Sequence, residues 1–315
     1  MHKNVPLVLR ILSSSVSISD KAGSIIRDIM HSGNLNIVDK GFNDLQTEAD
    51  RSSQKCIVKS LMKQFPGISV IGEENLDPNY DIPNDWLVTK QDESVLVQKC
   101  PEEFHNISDE DVVVWVDPLD GTSEFTQGLL DHVTILIGLS INGRAIGGVI
   151  HQPFFNFVEN KLTHGRTIWG LNGLGAFGIQ KILPPSGKMI VTTSRMHSND
   201  LVNRTVEAFK PDYVAHVGGA GNKTLYVIEG KAHAYVFPTR GCKKWDTCAP
   251  EGILHSLGGR MTDILGNPLT YNKNENFTHE LGILASYSAD EHAGYCQKIP
   301  SEVRERLFQS AKNRA

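Results

Sequence analysis

The chain has 315 residues, which is enough for one large domain or two mid-sized domains with a sizeable buried core. Its 40% hydrophobic and 21% charged residues are ordinary for a soluble protein, and the net charge of −5 argues against binding polymeric nucleic acid through phosphate contacts. Its 5 cysteines include no Cys-x-x-Cys pair, so we expect neither a disulfide framework nor a zinc site, but a cytoplasmic protein.

The N-terminal part of the chain predicts two helices. Apolar residues recur at helical spacing over residues 5–30, and a second apolar stripe follows residue 50. Because Arg10 interrupts the first apolar stretch and no cleavage-like site follows it, we expect neither a signal peptide nor a membrane span. Thr47 and Asp50 have the spacing of a capping box at the start of the second helix. From these residues alone, Asp50 is a helix cap.

The stretch at residues 112–122 is the most informative in the chain. Its first five residues are β-branched or aromatic, which predicts a strand buried on both faces. Pro118 cannot donate to a strand ladder, so we expect pairing to end at Asp117, followed by a turn at Asp120 and Gly121. Two carboxylates this close repel each other unless a cation lies between them. The stretch is a candidate divalent-metal site, although by itself an ordinary Asp-rich turn explains it better.

Acidic residues also follow two other predicted strands. Glu73 and Glu74 come directly after the short apolar run at residues 68–71. Asp246 follows the predicted strand at residues 234–237 and is expected at the N-terminus of the next helix, where an anion is favourable. Taken singly, the paired Glu residues are typical of a solvated loop, and Asp246 is typical of a helix cap.

The remaining elements predict an α/β chain with a boundary in its middle. Residues 76–111 are polar and acidic, which predicts an exposed excursion without chemistry. Asn142-Gly143 joins two apolar runs in the pattern of a β-hairpin. The Pro-Pro-Ser-Gly stretch at residues 184–187 predicts a boundary between domains at residues 1–185 and 186–315. The second domain is predicted to alternate strands and helices and to end in one helix from residue 290 on.

Together, the acidic stretches resemble the magnesium-dependent, lithium-sensitive phosphomonoesterases that include inositol monophosphatase and fructose-1,6-bisphosphatase. The shared motifs are Gly-Glu-Glu at 72–74, Asp-Pro-Leu-Asp-Gly-Thr at 117–122 and Trp-Asp-Thr-Cys-Ala-Pro-Glu at 245–251. Within this superfamily, the 3′(2′),5′-bisphosphate nucleotidases are similar in the stretches at 165–170, 217–223 and 241–246. The resemblance covers nearly the whole chain and implies the layered α-β-α-β-α sandwich of these enzymes.

The resemblance implies a catalytic centre with two or three Mg²⁺ ions. The implied metal ligands are Glu73, Asp117, the main-chain carbonyl of Leu119, Asp120 and Asp246. Asp117 would bridge two ions, and Glu74 would make at most an outer contact. The resemblance also implies that the Thr122 hydroxyl orients the attacking water and relays a proton to Asp50. It therefore gives Asp50 a catalytic role in place of the capping role.

The resemblance also places the substrate mainly against the second half of the chain. The implied substrate-binding residues are Thr122, Ser194, His197, Gly219, Lys243 and Asp246. Lys243 would pair with the phosphate that is retained, and Gly219 would let the ligand approach the backbone. Without the resemblance, His197 is better explained as a surface histidine and Lys243 as a solvated charge.

The implied activity is hydrolysis of the 3′-phosphate of adenosine 3′,5′-bisphosphate to AMP, with the 2′-phosphate isomer and the sulfated analogue as further substrates. Such enzymes are inhibited by lithium and clear a by-product of sulfotransferases. The first alternative is an inositol polyphosphate 1-phosphatase. The alternative from another class is a nucleotide or metal sensor without turnover. We expect a small-molecule partner only, with no membrane, polymeric nucleic acid or obligate protein partner.

Overall fold

The fold is built around two β-sheets in the described part of the chain, residues 4–41, 44–77, 79–157, 165–195 and 199–313 of this computed structural model. The helices are α1 (Leu7–Ser32), α2 (Glu48–Gln64), α3 (Glu93–Leu96), α4 (Thr122–Thr126), α5 (Asp200–Ala208), α6 (Ala220–Ile228), α7 (Lys244–Ser256), α8 (Ala289–Lys298) and α9 (Ser301–Lys312). The strands are β1 (Val38–Gly41), β2 (Asp44–Gln46), β3 (Ser69–Gly72), β4 (Val112–Asp120), β5 (Thr134–Ile141), β6 (Arg144–Gln152), β7 (Arg166–Leu171), β8 (Gly175–Phe177), β9 (Ile190–Ser194), β10 (Tyr213–Val217), β11 (Ala234–Phe237), β12 (Arg260–Thr262) and β13 (Ile283–Ser286). Of the described helices, none is both long and apolar enough to cross a membrane.

The two sheets differ in their strand directions. The first has the order β3-β4-β5-β6-β7-β8, in which β3 runs parallel to β4 and every other pair is antiparallel. The second has the order β10-β9-β11-β13-β12, with β9 parallel to both of its neighbours and β13 antiparallel to both of its own. Within the part of the chain that the structure describes, strands β1 and β2 pair only with each other.

Helices cover both sheets and fill the space between them. Helices α1 and α2 pack on one face of the first sheet, and α7 packs on its other face. Helix α6 lies beside α7 and reaches β9, β11 and β13 of the second sheet, whose outer face is covered by α5, α8 and α9. The layers therefore alternate as α-β-α-β-α, and the predicted fold class is confirmed. The division at residue 185 stays a prediction, since the middle core takes Trp115 from the first half and Tyr235 from the second.

Strand β4 continues beyond the point where its pairing was expected to end. Asp117 lies opposite Leu136 and Asp120 lies opposite Thr134, so β4 has one more residue than β5 between these pairs. This is a β-bulge, which leaves a residue without ladder hydrogen bonds and so tolerates Pro118. The expectation that the proline ends the strand was wrong, because the bulge absorbs it.

Two other predicted segments differ from the structure. The excursion at residues 76–111 is exposed over much of its described length, but Val95 and Phe104 are buried in the same core as α1. The C-terminal helix expected after residue 290 is two helices, because Pro300 separates α8 from α9. The polarity of residues 76–111 was predicted, but the packing of its apolar residues against the core was not. The helical periodicity of the C-terminal segment was predicted, but its break at Pro300 was not.

A buried acid in the middle layer makes the stability of the fold sensitive to pH. Glu251 of α7 accepts a hydrogen bond from the Tyr271 hydroxyl, and burial raises its pKa to about 8. The folded protein keeps this proton at pH values where the unfolded chain releases it, so this contribution to stability is lost as pH rises from about 4.5 to about 8, at up to about 1.4 kcal/mol per unit. In urea unfolding at pH 5 and pH 8.5, Glu251→Gln should lose less stability than the wild type; an equal loss would contradict this assignment.

Candidate active site

One cavity of about 920 Å³ collects the predicted site residues from both halves of the chain. The predicted residues that line it are Glu73, Asp117, Leu119, Asp120, Thr122, Ser194, Gly219, Lys243 and Asp246. Asp50 lies behind Thr122 and reaches the cavity through it. His197 falls outside the described residues. The predicted site residues that the structure describes are therefore neighbours in space, and the role of each stays a prediction.

Glu73 and Glu74 diverge at the carboxyl end of β3. The backbone N–H of Glu73 donates to the Val116 carbonyl at 3.0 Å, which extends the parallel pairing and carries the Glu73 side chain to the cavity. The Glu74 side chain is buried and its carboxylate accepts from Lys40 Nζ at 2.9 Å and from Gln46. Lys40 Nζ also lies 3.6 Å from Glu73 Oε1, so the two carboxylates share one cation, and of the two only Glu73 lines the cavity.

The bulge in β4 turns Asp117 and Asp120 toward different neighbours. Asp117 Oδ1 accepts from the Leu119 N–H at 3.0 Å. Asp120 crosses to the second half of the chain, where Oδ1 accepts from the Ala220 N–H at 2.7 Å and Oδ2 from the Gly221 N–H at 2.8 Å. These N–H groups belong to the first turn of α6, where the helix has unpaired donors and favours a negative charge. Asp120 therefore fixes α6 to the end of β4.

Asp246 comes from the first turn of α7. Its Oδ2 accepts from the Lys243 N–H at 2.7 Å, in a capping box whose N-cap is Lys243; Asp246 takes part in the cap as the third helical residue and is not itself the N-cap that the sequence suggested. This contact holds the carboxylate in the cavity wall, where it also raises the pKa of Glu73. Capping and membership of the acidic group are therefore compatible in one residue.

Four of the carboxyl groups that line the cavity, those of Glu73, Asp117, Asp120 and Asp246, repel one another when they are ionised. Burial, followed by the charge of Asp246, raises the pKa of Glu73 to about 8. Burial raises the pKa of Asp246 to about 7, with Asp120 adding to the rise. Burial and the charges of Glu73, Asp120 and Asp246 raise the pKa of Asp117 well above its ordinary value. A cation among these groups would relieve the repulsion, and carboxylate and carbonyl oxygens are the ligands that Mg²⁺ prefers.

Three of the four carboxylates, those of Asp117, Asp120 and Asp246, accept from backbone N–H groups. Among the described residues, no three Asp, Glu, His or Cys side chains converge closely enough to enclose an ion. Each carboxylate oxygen still has a second lone pair, so the contacts to Leu119, Ala220 and Lys243 do not exhaust these acids as ligands. The donor chemistry and the mutual repulsion fit a magnesium centre, and the assignment of each ligand remains a prediction.

Asp50 divides its two carboxylate oxygens between a cap and the cavity. Oδ2 accepts from the Thr47 N–H at 2.7 Å and from the Thr47 hydroxyl at 2.5 Å, which completes the capping box of α2. Oδ1 accepts from the Thr122 hydroxyl at 2.9 Å. Burial raises the pKa of Asp50 to about 6, and the bonds from Thr47 and Thr122 oppose that rise. The two roles weighed for Asp50 from sequence therefore use different atoms.

The predicted substrate side is formed by the ends of elements in the second half. Ser194 ends β9 and is buried in the cavity wall. Gly219 has φ +72°, and a Cβ there would lie 2.7 Å from Asp120 Oδ2, so the crowding neighbour in this structure is a carboxylate. Lys243 faces the cavity, whereas Lys244 is buried and donates to the Asn272 carbonyl at 2.8 Å. The adjacent lysines are thus separated by the start of α7.

Several cavity residues that carry charge or aromatic surface were not predicted from the sequence. Lys223 of α6 and Tyr235 of β11 line the cavity and are both buried. Lys223 was present in the glycine-rich stretch at 217–223 that supported the resemblance, and its place in the first turn after a glycine loop was the available signal. Arg240 also lines the cavity, but its guanidinium pairs with Glu280 at 3.0 Å.

Comparisons with known proteins agree with this architecture. The chain is 49% identical to 3′(2′),5′-bisphosphate nucleotidase 1 of Homo sapiens over 98% of this chain and 99% of that protein. It is 30% identical to inositol monophosphatase 3 of Xenopus laevis over 96% of this chain and 85% of that protein. The structure of the extragenic suppressor protein suhB from Bartonella henselae shares the fold, with a TM-score of 0.67 and 20% identity over 91% of this chain and 96% of that one. The model of the inositol monophosphatase family matches residues 9–303, and the chain belongs to that family.

Proposed function

We propose that this chain is a Mg²⁺-dependent phosphomonoesterase that removes the 3′-phosphate of adenosine 3′,5′-bisphosphate and leaves AMP. The observation that carries the proposal is the single cavity in which four acids face a threonine hydroxyl backed by a buried carboxylate. The choice of a nucleotide follows the 49% identity to a bisphosphate nucleotidase, against 30% to an inositol monophosphatase over similar lengths. The 2′-phosphate isomer and the sulfated analogue are further proposed substrates.

The acids of the cavity would hold two or three Mg²⁺ ions. The proposed ligands are Glu73, Asp117, the Leu119 carbonyl, Asp120 and Asp246. When bound, such ions neutralise the charge that develops on a phosphate ester and make a coordinated water more acidic. The buried, fixed carboxylates of the protein would make the cavity a favourable site for Mg²⁺. We expect lithium to inhibit the enzyme because Li⁺ would compete with Mg²⁺ for these carboxylates.

Thr122 and Asp50 are the proposed pair that handles the proton. A threonine hydroxyl is a poor base by itself. Its one proton has two acceptors within reach, Asp50 Oδ1 at 2.9 Å and the Leu119 carbonyl at 3.1 Å, and the nearer, charged carboxylate is favoured. The Thr122 oxygen can then accept from a water. That water would be held in line with the phosphorus atom while its proton passes toward Asp50. Burial raises the pKa of Asp50 to about 6, which makes it a better proton acceptor than an exposed Asp while leaving it mostly a carboxylate at neutral pH.

The substrate would lie between the acids and the second half of the chain. Ser194, Gly219 and Lys243 are proposed to contact the nucleotide beside Thr122 and Asp246, together with His197. Lys243 would pair with the retained 5′-phosphate, because a charge-assisted bond distinguishes a bisphosphate from a monophosphate. We place the enzyme in the cytoplasm, since its cysteines, all in the described residues, carry free thiols.

Phosphate release is the direct test. The substrates to compare are adenosine 3′,5′-bisphosphate, inositol 1,4-bisphosphate and inositol 1-phosphate, each with Mg²⁺, with chelator and with lithium. Preference for the nucleotide, lost with chelator and reduced by lithium, is the expected result. Preference for an inositol phosphate would overturn the substrate but keep the reaction. No release from any substrate would favour the sensor alternative.

A further inference from the structure

The two halves of the chain meet in an ion pair at one end of the cavity. Glu124 of α4 comes two residues after Thr122, and Arg195 follows Ser194 at the end of β9. Arg195 Nη2 donates to Glu124 Oε1 at 3.2 Å and to Gln127 Oε1 at 3.0 Å. The pair therefore joins the helix that begins with the proposed water-orienting residue to the strand that ends in a proposed substrate-binding residue.

The Glu124 carboxylate also packs against the glycine loop that precedes α6. Its side chain is 5% exposed, and a Cβ on Gly218 would lie 2.1 Å from its carboxyl carbon, so a larger residue at position 218 would displace the carboxylate. The Gly218 N–H donates to His132 Nδ1 at 2.9 Å, and the Arg195 N–H donates to the Val217 carbonyl at 3.2 Å. Helix α4, the end of β9 and the glycine loop therefore form one junction around Glu124.

The geometry of the pair is not that of a strong structural salt bridge. A single guanidinium nitrogen reaches Glu124, and the buried Arg195 Nε has no hydrogen-bond partner among the residues that the structure describes. Bidentate pairing offsets the desolvation of a buried arginine and carboxylate, and without it such a pair adds little net stability. What distinguishes this pair is therefore its place, between the two sides of the cavity.

We propose that Glu124 and Arg195 are a positioning pair, which fixes the cavity wall formed by Ser194 and Gly219 relative to Thr122. A bisphosphate that reaches from the acids to the second half of the chain must be held at both ends in one geometry. A misplacement of about 1 Å between those ends can lower the rate about 100-fold. The choice of substrate rests on the proposed function, whereas the coupling of α4 to β9 and the glycine loop does not.

A double-variant cycle on catalysis tests the pair. Arg195→Met removes the cation, Glu124→Gln removes the anion, and the double variant removes both. Each single variant should lower kcat for adenosine 3′,5′-bisphosphate about 10-fold to 100-fold. The double variant should be no slower than the slower single variant, because the effects of residues that act as a unit are not additive. Arg195→Lys keeps the charge without the planar fork and should be at least about threefold faster than Arg195→Met.

Binding of AMP distinguishes positioning from direct contact with the nucleotide. AMP lacks the phosphate that is removed and would bind to the second half of the chain alone. In calorimetric titrations with Mg²⁺, its dissociation constant should therefore change less than about threefold in these variants while kcat falls. The proposal is overturned if AMP binding is weakened as much as kcat is lowered, if kcat is unchanged, or if the effects of the two single variants add.

Arg166→Met is the matched control. Arg166 pairs with Glu229 across the same two halves, with side chains 19% and 13% exposed, but both lie outside the residues that line the cavity. It should keep kcat within about twofold, because breaking this pair does not change the geometry around the bound substrate.

Hydrogen exchange gives a readout that does not depend on turnover. The Gly218 and Gly221 N–H groups bond across the junction, to His132 and Asp120, so Arg195→Met should exchange faster over residues 213–221 than the wild type and Arg166→Met. Equal exchange in the three proteins would overturn the proposal. Faster exchange in Arg195→Met, with no hydrolysis of the bisphosphate by the wild type, would overturn the proposed function and support the coupling.

Discussion

Asp117→Asn is expected to reduce Mg²⁺-dependent phosphate release at least about 1,000-fold, because removing the charge proposed to bridge two ions would cost several kcal/mol of metal-based stabilisation. Asp117 is buried at the centre of the acidic group, and its pKa is raised by burial and by Glu73, Asp120 and Asp246. The amide has the same shape and can still accept from the Leu119 N–H. The substitution therefore removes the charge and leaves the local hydrogen bond in place.

The same substitution should change stability in opposite directions with and without metal. Without metal, Asp117→Asn should unfold at the same temperature as the wild type or higher, since one repelling carboxylate is gone. With Mg²⁺, the wild type should gain stability by ligand binding, and the variant should gain much less. Thermal unfolding across a Mg²⁺ titration measures both effects on one sample.

Asp263→Asn provides a matched control for Asp117→Asn. Asp263 is also a buried aspartate that accepts backbone N–H groups, from Leu265 at 2.8 Å and Asn267 at 2.9 Å, but it lies outside the cavity. It should lose stability and keep both its activity and its response to Mg²⁺. Asp117→Asn with normal activity, or with a normal Mg²⁺ response, would remove the case for a metal centre at β4.

The sequence was most informative where a few consecutive residues determine the structure. The β-branched run before Asp117 predicted a buried strand, and Asn142-Gly143 predicted the hairpin, whose two residues both have positive φ, 51° and 71°. The capping box at Thr47 and Asp50 could be predicted for the same reason, because its contacts join residues only three positions apart. Local steric and hydrogen-bonding rules are sufficient for such features.

Contacts between segments that are distant in the chain could not be predicted from local steric and hydrogen-bonding rules. Asp120 binds the first turn of α6 a hundred residues later, and nothing in the local sequence of either segment requires the other. The burial of Lys223 depends on the same junction, which is why a residue in a recognised motif was not recognised as part of the cavity. Pro118 was misread because the bulge that accommodates it is defined by the register of β5. Residues at contacts between distant segments can be identified only once the structure is known.

Asp50→Asn should lower kcat far more than Thr47→Ala does, although both substitutions damage the same capping box. Asp50 accepts three hydrogen bonds, from the Thr47 N–H, the Thr47 hydroxyl and the Thr122 hydroxyl. An asparagine has one acceptor oxygen and would direct its NH₂ group toward at least one of these donors, so either the cap or the link to Thr122 is broken. Loss of the proton acceptor should lower kcat by about 100-fold to 10,000-fold.

Thr47→Ala removes only the capping hydroxyl. It should cost about 1 kcal/mol of stability, the usual value for a lost cap, and lower kcat less than about tenfold. Urea unfolding and initial rates of phosphate release, measured on both variants, give the comparison. If the two variants lose kcat equally, Asp50 acts only as a helix cap and the proposed proton transfer is wrong.

The pH dependence of kcat gives a sharper test of the same pair. Asp50 must be a carboxylate to accept from Thr122, and its pKa is raised to about 6, so wild-type activity should fall as pH drops through about 6. Because the Thr47 hydroxyl donates to the ionised form and lowers this pKa, Thr47→Ala should move that acidic limb to higher pH. Measured at saturating Mg²⁺, which would keep Glu73, Asp117 and Asp246 ionised, the limb due to Asp50 should disappear in Asp50→Asn. An acidic limb that stays in place in Thr47→Ala would show that a different group controls it.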